Sequence, residues 1–272
     1  MSTPNLILVG CGKMGGAMLT GWLEQRFADQ IVVVEPEDKA TRDFQGKPGV
    51  HITEALENVT DRVRPDAVIF AVKPQVMDDV VPAYRRYTGH AAPVFLSIAA
   101  GTPIAFFQQI LGRDAAIVRA MPNTPAAVGR GITALTANPR VDPAQMALCQ
   151  TICEAVGEVV WLGDETAMDA VTAVSGSGPA YVFYLVEALA AAGQREGLPP
   201  DMAMRLARAT VSGAGELLNQ SPEDADTLRR NVTSPGGTTA AALDVLMADD
   251  GLAVLMRRTV VAAANRSREL GG

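Results

Sequence analysis

Near its start the chain carries a short apolar run, Leu6-Ile7-Leu8-Val9. It passes without a break into Gly10-Cys11-Gly12-Lys13-Met14-Gly15 and then into an amphipathic segment with Met14, Met18 and Trp22 on one face. Few folds accept that order. Each glycine answers a separate steric demand: Gly10 the tight turn, Gly12 the approach of a pyrophosphate to the backbone, Gly15 the close packing of helix on strand. The helix start then offers unpaired N–H groups and a partial positive charge to an anion. Glu35 stands 20 residues beyond Gly15, at the end of the next β-branched run, where a carboxylate accepts from ribose hydroxyls. The pattern predicts a dinucleotide held by Gly10, Cys11, Gly12, Lys13, Met14, Gly15 and Glu35. A carboxylate at position 35 repels a 2′-phosphate, which favours NADH over NADPH. Lys39 and Arg42 follow closely as available counter-charges, so the preference is a lean and not an exclusion.

The rest of the first part repeats the strand–helix alternation. Strands are expected at 6–9, 31–34, 67–72, 94–98, 115–118, 132–136 and 158–162, several of them apolar throughout, as in a parallel sheet covered on both faces. Thr102-Pro103 and Asp142-Pro143 each place a capping side chain before a proline at the first helical position, with Gly157 as a terminator of the second helix. These signs predict a doubly wound α/β domain over residues 1–164. After Asp164 the strands stop. Six helices are expected at 166–174, 179–196, 201–219, 222–232, 239–248 and 251–270. Ser221-Pro222-Glu223-Asp224 reads as a capping box for the fourth. Residues 165–272 are therefore expected to form an all-helical domain. Its helices are apolar around much of their circumference, so a partner subunit is expected to cover them. One larger helical layer packed on the sheet is the alternative.

Composition removes several classes. Lys plus Arg number 23 against 30 for Asp plus Glu, a formal net charge of −7, which lacks the electrostatic footprint of a nucleic-acid or anionic-membrane binder. No apolar run reaches membrane-spanning length and no basic-then-apolar leader opens the sequence. Three cysteines, Cys11, Cys149 and Cys153, are too few for a disulfide framework; the last two, four apart on a helix, read as packing residues. A cytoplasmic location is expected.

Two further segments end strands where a parallel sheet presents its ligand crevice: Ala71-Val72-Lys73-Pro74 and Ser97-Ile98-Ala99-Ala100-Gly101. Small residues there let a ribose and nicotinamide lie against backbone. Lys73 reads as a phosphate or solvent contact in preference to a proton donor. Met121-Pro122-Asn123-Thr124-Pro125 is a rigid turn that either floors a pocket or only shapes the chain. In the helical part, Ser175-Gly-Ser-Gly-Pro-Ala-Tyr181 and Thr233-Ser-Pro-Gly-Gly-Thr-Thr239 place glycines where helices resist them. The second sets N–H groups and a helix start around an anion nest suited to a small carboxylate. The two histidines, His51 and His90, lie outside every motif and read as surface residues.

Taken in order, Gly10-Cys-Gly-Lys-Met-Gly15, Ala71-Val-Lys-Pro-Gln75, Ser97-Ile-Ala-Ala-Gly101, Arg119-Ala-Met-Pro-Asn-Thr-Pro125, Ser175–Tyr181 and Ser234-Pro-Gly-Gly-Thr-Thr239 resemble the pyrroline-5-carboxylate reductase family over nearly the whole chain. The resemblance implies reduction of 1-pyrroline-5-carboxylate to proline by NADH or NADPH. It implies a Rossmann domain followed by an all-helical dimerisation domain, with dimers often assembled into rings. It places the substrate, a small cyclic imine carboxylate, on Ser234, Gly237, Thr238 and Thr239, with Glu165 and Asn231 flanking; for hydride transfer to the imine carbon, Thr239 is then the expected catalytic residue, hydrogen-bonding the ring nitrogen. On the cofactor side it implies Ala71, Val72, Lys73, Pro74, Ile98, Ala99 and Ala100, with Asn58 near the adenosine. Family members that accept NADPH commonly carry a small polar residue at position 35, so Glu35 is a departure. A β-hydroxyacid dehydrogenase, the main rival, needs a lysine in its helical domain, and residues 165–272 contain none.

Overall fold

A computed structural model describes residues 3–60, 62–89 and 92–271. It divides into two compact units, one of Met1–Gly176 and Ala264–Gly272, the other of Ser177–Ala263.

The first unit is built on an eight-stranded sheet. Its strands are β1 (Asn5–Val9), β2 (Gln30–Val34), β3 (Val50–Thr53), β4 (Ala67–Phe70), β5 (Val94–Ser97), β6 (Ile117–Met121), β7 (Gly131–Ala137) and β8 (Gly157–Trp161), in the order β3-β2-β1-β4-β5-β6-β7-β8. All neighbours are parallel except β6 and β7. The short link over residues 122–130 holds only the single 3-10 turn Thr124–Val128, too short to carry the chain back across the sheet, so β7 returns antiparallel. Strand β3 was not among the expected strands. It is a four-residue edge strand with the exposed His51 between Val50 and Ile52, and so lacks the continuous apolar run that marks the others. His90, the second expected surface histidine, lies outside the described residues.

Alternation along β1 separates two cores. Leu6 and Leu8 face a layer containing Met18, Leu19, Trp22, Cys149, Ile152 and Cys153; Ile7 and Val9 face one containing Val81, Tyr84, Phe107 and Leu111. Burial of both faces is what the continuous apolar runs require, and each such side chain contributes about 1.5–3 kcal/mol. Trp22 satisfies its indole N–H on the Ile152 carbonyl at 2.8 Å, joining the helix Lys13–Gln25 to the helix Pro143–Glu154. Cys149 and Cys153 are packing residues of that core, as expected.

Helix starts follow the expectations in one case and depart in two. Asp142 accepts from Gln145 N–H at 2.8 Å in a complete capping box. Thr102 makes no such bond: the helix Ile104–Leu111 is capped from far along the chain, its Ile104 N–H donating to Glu165 at 2.9 Å. Ser221 is occupied by the N–H of Glu223, and the helix starts three residues later behind Asp224, whose carboxylate accepts from Thr227 N–H. The ionised carboxylate is the stronger cap. Gly157 opens β8 instead of ending a helix.

The point where the two compact units divide falls twelve residues beyond the expected border at 164/165. Strands end there, but Glu165–Gly176 remains tied to the sheet unit by Glu165, by Asp169 and by the Ser175 carbonyl, so packing changes only after Gly176. The Met168–Val171 helix runs into a π-turn at Thr172–Gly176, and the Ser175 carbonyl is left for Asn123 because Pro179, four residues on, has no N–H to donate.

In the second unit the helices Gly178–Arg195 and Pro200–Gln220 form an antiparallel pair around Ala190, Ala203 and Ala207, packed with Val186 and Leu198. Alanines at the crossing let the backbones come close. Helices Ala225–Asn231 and Thr238–Leu246 follow, and Leu252–Leu270 begins here. Phe183, Tyr184, Leu206, Val245, Met247 and Leu255 are all at least half exposed. So much apolar surface marks an interaction face.

Candidate active site

The strand order reverses direction between β1 and β4, and that switch point is where an open α/β sheet leaves a crevice at its carboxyl edge. Gly10 leaves β1 with its N–H on the Val34 carbonyl (2.9 Å) and a left-handed φ of 90°. A Cβ on Gly15 would fall 2.4 Å from the Gly10 carbonyl oxygen, which locks helix Lys13–Gln25 against the turn. A Cβ on Gly12 would meet nothing within 4 Å. The two glycines therefore do opposite things: one is needed for the fold, while the other keeps a clear space over the helix start. That clear space beside unpaired N–H groups fits a pyrophosphate.

Glu35 lies across this turn. Its Oε2 accepts from Cys11 N–H at 2.7 Å and its Oε1 from Glu37 N–H at 3.0 Å, so the carboxylate is fixed over the glycine-rich loop. Burial, reinforced by the Glu35 charge, pushes the Cys11 thiol up to about 11. The sulfur is thus a neutral packing group and not a nucleophile. Lys13 is exposed and Met14 half-buried at the same helix start.

The remaining expected cofactor segments sit along the same edge. Ala71 N–H bonds to the Val9 carbonyl (2.7 Å) and Ile98 N–H to the Phe70 carbonyl (3.0 Å), which carries both loops out of the sheet in register with β1. Val72 is half-buried against Gly10, Lys73 and Pro74 are exposed, Ala99 is buried and Ala100 exposed. Asn58 is exposed on the Leu56–Asn58 turn that follows β3.

Glu165, expected beside the substrate, belongs to the sheet unit. Its Oε1 accepts from both Arg119 Nη1 (2.8 Å) and Ile104 N–H (2.9 Å). Asn123 resolves the two readings of its turn: its Oδ1 accepts from Ile132 N–H (3.0 Å) and its Nδ2 donates to the Ser175 carbonyl (3.2 Å), so it splices the β6–β7 link to the π-turn. In the sequence Arg119 has a place in a motif but no role, and Asp169 has neither. A charged residue inside the apolar strand Ile117-Val118-Arg119-Ala120 was the available signal, since a buried guanidinium demands an acid partner.

In the helical unit, Thr233 bonds back to the Arg229 carbonyl (2.7 Å), Gly236 turns left-handed at φ 69°, and Gly237 N–H closes on the Ser234 carbonyl (3.0 Å). Thr238 and Thr239 then open the helix Thr238–Leu246, whose first N–H groups lack intrahelical acceptors. Ser234 and Thr238 are exposed, Thr239 and Gly237 half-buried. Asn231 points its amide to Glu223 Oε2 at 3.1 Å. Arg229 and Arg230 both pair with Asp226. An anion at this turn would be held by main chain and hydroxyls. Among the described residues no cluster of three or more His, Cys, Asp or Glu is placed to hold a metal ion.

Comparison with known proteins gives a consistent result. Residues 165–270 match the family model "pyrroline-5-carboxylate reductase dimerisation", and residues 5–101 match "NADP oxidoreductase coenzyme F420-dependent". The pyrroline-5-carboxylate reductase of Pseudomonas aeruginosa is 39% identical over 99% of this chain and 98% of its own. That of Synechocystis is 41% identical over 97% of each. Among solved structures, a pyrroline-5-carboxylate reductase from Coxiella burnetii aligns over the full length of both chains with a TM-score of 0.92 and 35% identity. The Plasmodium falciparum enzyme, solved with NADP bound, aligns over the full length of both chains with a TM-score of 0.81 and 27% identity.

Proposed function

The chain belongs to the pyrroline-5-carboxylate reductase family, and from that membership we propose how its own residues divide the work. The protein is an NAD(P)H-dependent oxidoreductase that reduces 1-pyrroline-5-carboxylate to L-proline, the last step of proline biosynthesis, and it self-associates through its helical domain. We extend that self-association to rings of dimers. The unpaired Cys11, Cys149 and Cys153 support a reducing, cytoplasmic setting.

When bound, the reduced nicotinamide supplies the hydride. The Gly10–Gly15 turn and the helix start hold the pyrophosphate, Glu35 the adenosine ribose, with Asn58 beside it, and Ala71–Pro74 and Ile98–Ala100 the ribose and nicotinamide. Ser234, Gly237, Thr238 and Thr239 hold the substrate carboxylate through N–H and O–H donors, with Asn231 at the edge, and so fix which face of the ring is presented. As the imine carbon gains the hydride, the C=N π electrons pass to the ring nitrogen. That nitrogen arrives protonated, or takes a proton from solvent through the Thr239 hydroxyl. An iminium is already a strong electrophile, so a side chain with a shifted pKa is not needed. The observation that carries this assignment is the Ser234–Thr239 turn: a left-handed glycine and a helix start whose first N–H groups have no intrahelical acceptor, beside arginines already paired with Asp226.

The test is to follow NADH and NADPH absorbance with 1-pyrroline-5-carboxylate and with its six-membered homologue. Oxidation coupled to L-proline is expected with the five-membered ring; no consumption with it overturns the reading. Glu35 is assigned to favour NADH, because a fixed carboxylate meets a 2′-phosphate as a like charge. In Glu35→Ser the ratio of kcat/KM for NADPH over NADH is expected to rise at least about tenfold, the equivalent of about 1.4 kcal/mol of relieved repulsion. An unmoved ratio removes Glu35 from cofactor choice.

A further inference from the structure

The loop assigned above to the nicotinamide, Ile98-Ala99-Ala100-Gly101, has small side chains and little of its own to hold its shape. Ser97 Oγ steadies it locally by accepting from Ala99 N–H at 3.3 Å. Its far end is fixed by more distant groups. Ile104 N–H, at the start of the next helix, is held by Glu165, which also takes Arg119. Gly101, at a left-handed φ of 74°, lies directly against the end of the helix Leu252–Leu270: a Cβ there would come 3.4 Å from the Leu270 carbonyl oxygen. Reciprocally, a Cβ on Gly271 would come 3.4 Å from the Gly101 carbonyl oxygen. The two backbones thus approach to about the width of a methyl group.

A polar bond from within the same unit reaches that helix end. Ser267, 6% exposed, donates its hydroxyl to Asp169 Oδ1 at 2.6 Å. Asp169 stands four residues after Glu165, where the short Glu165–Ala167 turn continues as the Met168–Val171 helix. One stretch of chain therefore fixes the loop twice, through Glu165 at Ile104 and through Asp169 and Ser267 at Gly101.

We infer that Ser267 and Asp169 are positioning residues for the nicotinamide end of the cofactor site, seating the final turn of the Leu252–Leu270 helix against the Gly101 loop. The inference rests on the assignment of residues 98–100 to the nicotinamide. It gives the end of that helix a part in the reduction reaction as well as in packing. Neither side chain touches the cofactor; they act through the backbone of Gly101.

The experiment uses the full chain and two ligands, NADH and ADP-ribose, the second of which lacks the nicotinamide. In Ser267→Ala, and equally in Asp169→Ala, the Kd and KM for NADH are expected to rise about tenfold, as the loop loses preorganisation that binding must then restore. The Kd for ADP-ribose is expected to stay at the wild-type value. Asp169→Asn keeps an oxygen acceptor and is expected to recover most of the NADH affinity, and the Ser267→Ala/Asp169→Ala double variant to be no worse than either alone. A parallel loss of both ligands, or NADH affinity unchanged in the single variants, overturns the inference. Should the alanine variants fail to fold, Asp169→Asn decides alone: a smaller loss confined to NADH supports the inference, and any other result overturns it. Wild-type turnover of 1-pyrroline-5-carboxylate is measured alongside, so that failure of the functional assignment is read separately.

Discussion

Gly12→Ala is expected to abolish productive cofactor binding while leaving the fold intact, and Gly15→Ala to damage both. At Gly12 the backbone (φ −65°, ψ −164°) suits alanine and a Cβ would meet no atom within 4 Å, so the melting temperature should match wild type. The same methyl would fill the space assigned to the pyrophosphate. Displacing that group by an ångström moves the whole dinucleotide relative to its partner, and kcat/KM for NADH should fall by about 10²-fold or more. At Gly15 the added Cβ would sit 2.4 Å from a main-chain oxygen that cannot swing away. The helix must lift off the turn, at an overpacking cost of about 1–3 kcal/mol. Thermal melting and NADH titration of the two variants, side by side, check this. NADH binding by Gly12→Ala at wild-type affinity would falsify the placement of the pyrophosphate.

Removal of one hydroxyl should have a comparable effect on the chemical step. Thr239→Ala is expected to lower kcat by about 10²-fold with saturating imine, the low end for lost proton or hydrogen-bond assistance. Thr239 is the second residue of the Thr238–Leu246 helix, half-buried, with its neighbours held by the Ser234–Gly237 closure. The alanine variant keeps the N–H groups and the helix, so NADH affinity and the melting temperature should be unchanged. Thr239→Ser keeps the oxygen and should retain most of the activity. Pre-steady-state hydride transfer, monitored by NADH fluorescence, isolates the step; full-rate transfer by the alanine variant removes the hydroxyl from the mechanism.

The parts legible in the sequence are those in which local chemistry decides. A strand feeding three spaced glycines can be read directly, because Gly10 and Gly15 answer contacts within the turn itself and Gly12 keeps the space beside it clear. The buried strands declare themselves by apolar runs, and Asp142 caps its helix from the adjacent position. Less legible is whatever depends on chain far away. Glu165 caps Ile104 across 61 residues and Ser267 reaches Asp169 across 98, separations at which no pattern in one sequence pairs an acid with its donor. Strand β3 was missed because an edge strand with one dry face can be short and polar. The reversal at β7 was missed because a strand's apolar residues do not record its direction. Glu165 was expected at the substrate on the strength of resemblance, and what the resemblance did not tell is that its Oε1 is held by Arg119 and Ile104.

The division of the chain bears on how the molecule is made. Residues 264–272 join the unit that begins at Met1, with Ser177–Ala263 lying between them in the sequence. Domains fold as units from the N-terminus during synthesis. The sheet and its glycine-rich turn thus leave the ribosome ahead of the second unit, and the segment that meets Gly101 is translated only after that unit. A nascent chain stalled before Ala264 should retain ADP-ribose yet hold NADH no more tightly, so the binding site for the coenzyme matures in two instalments during translation.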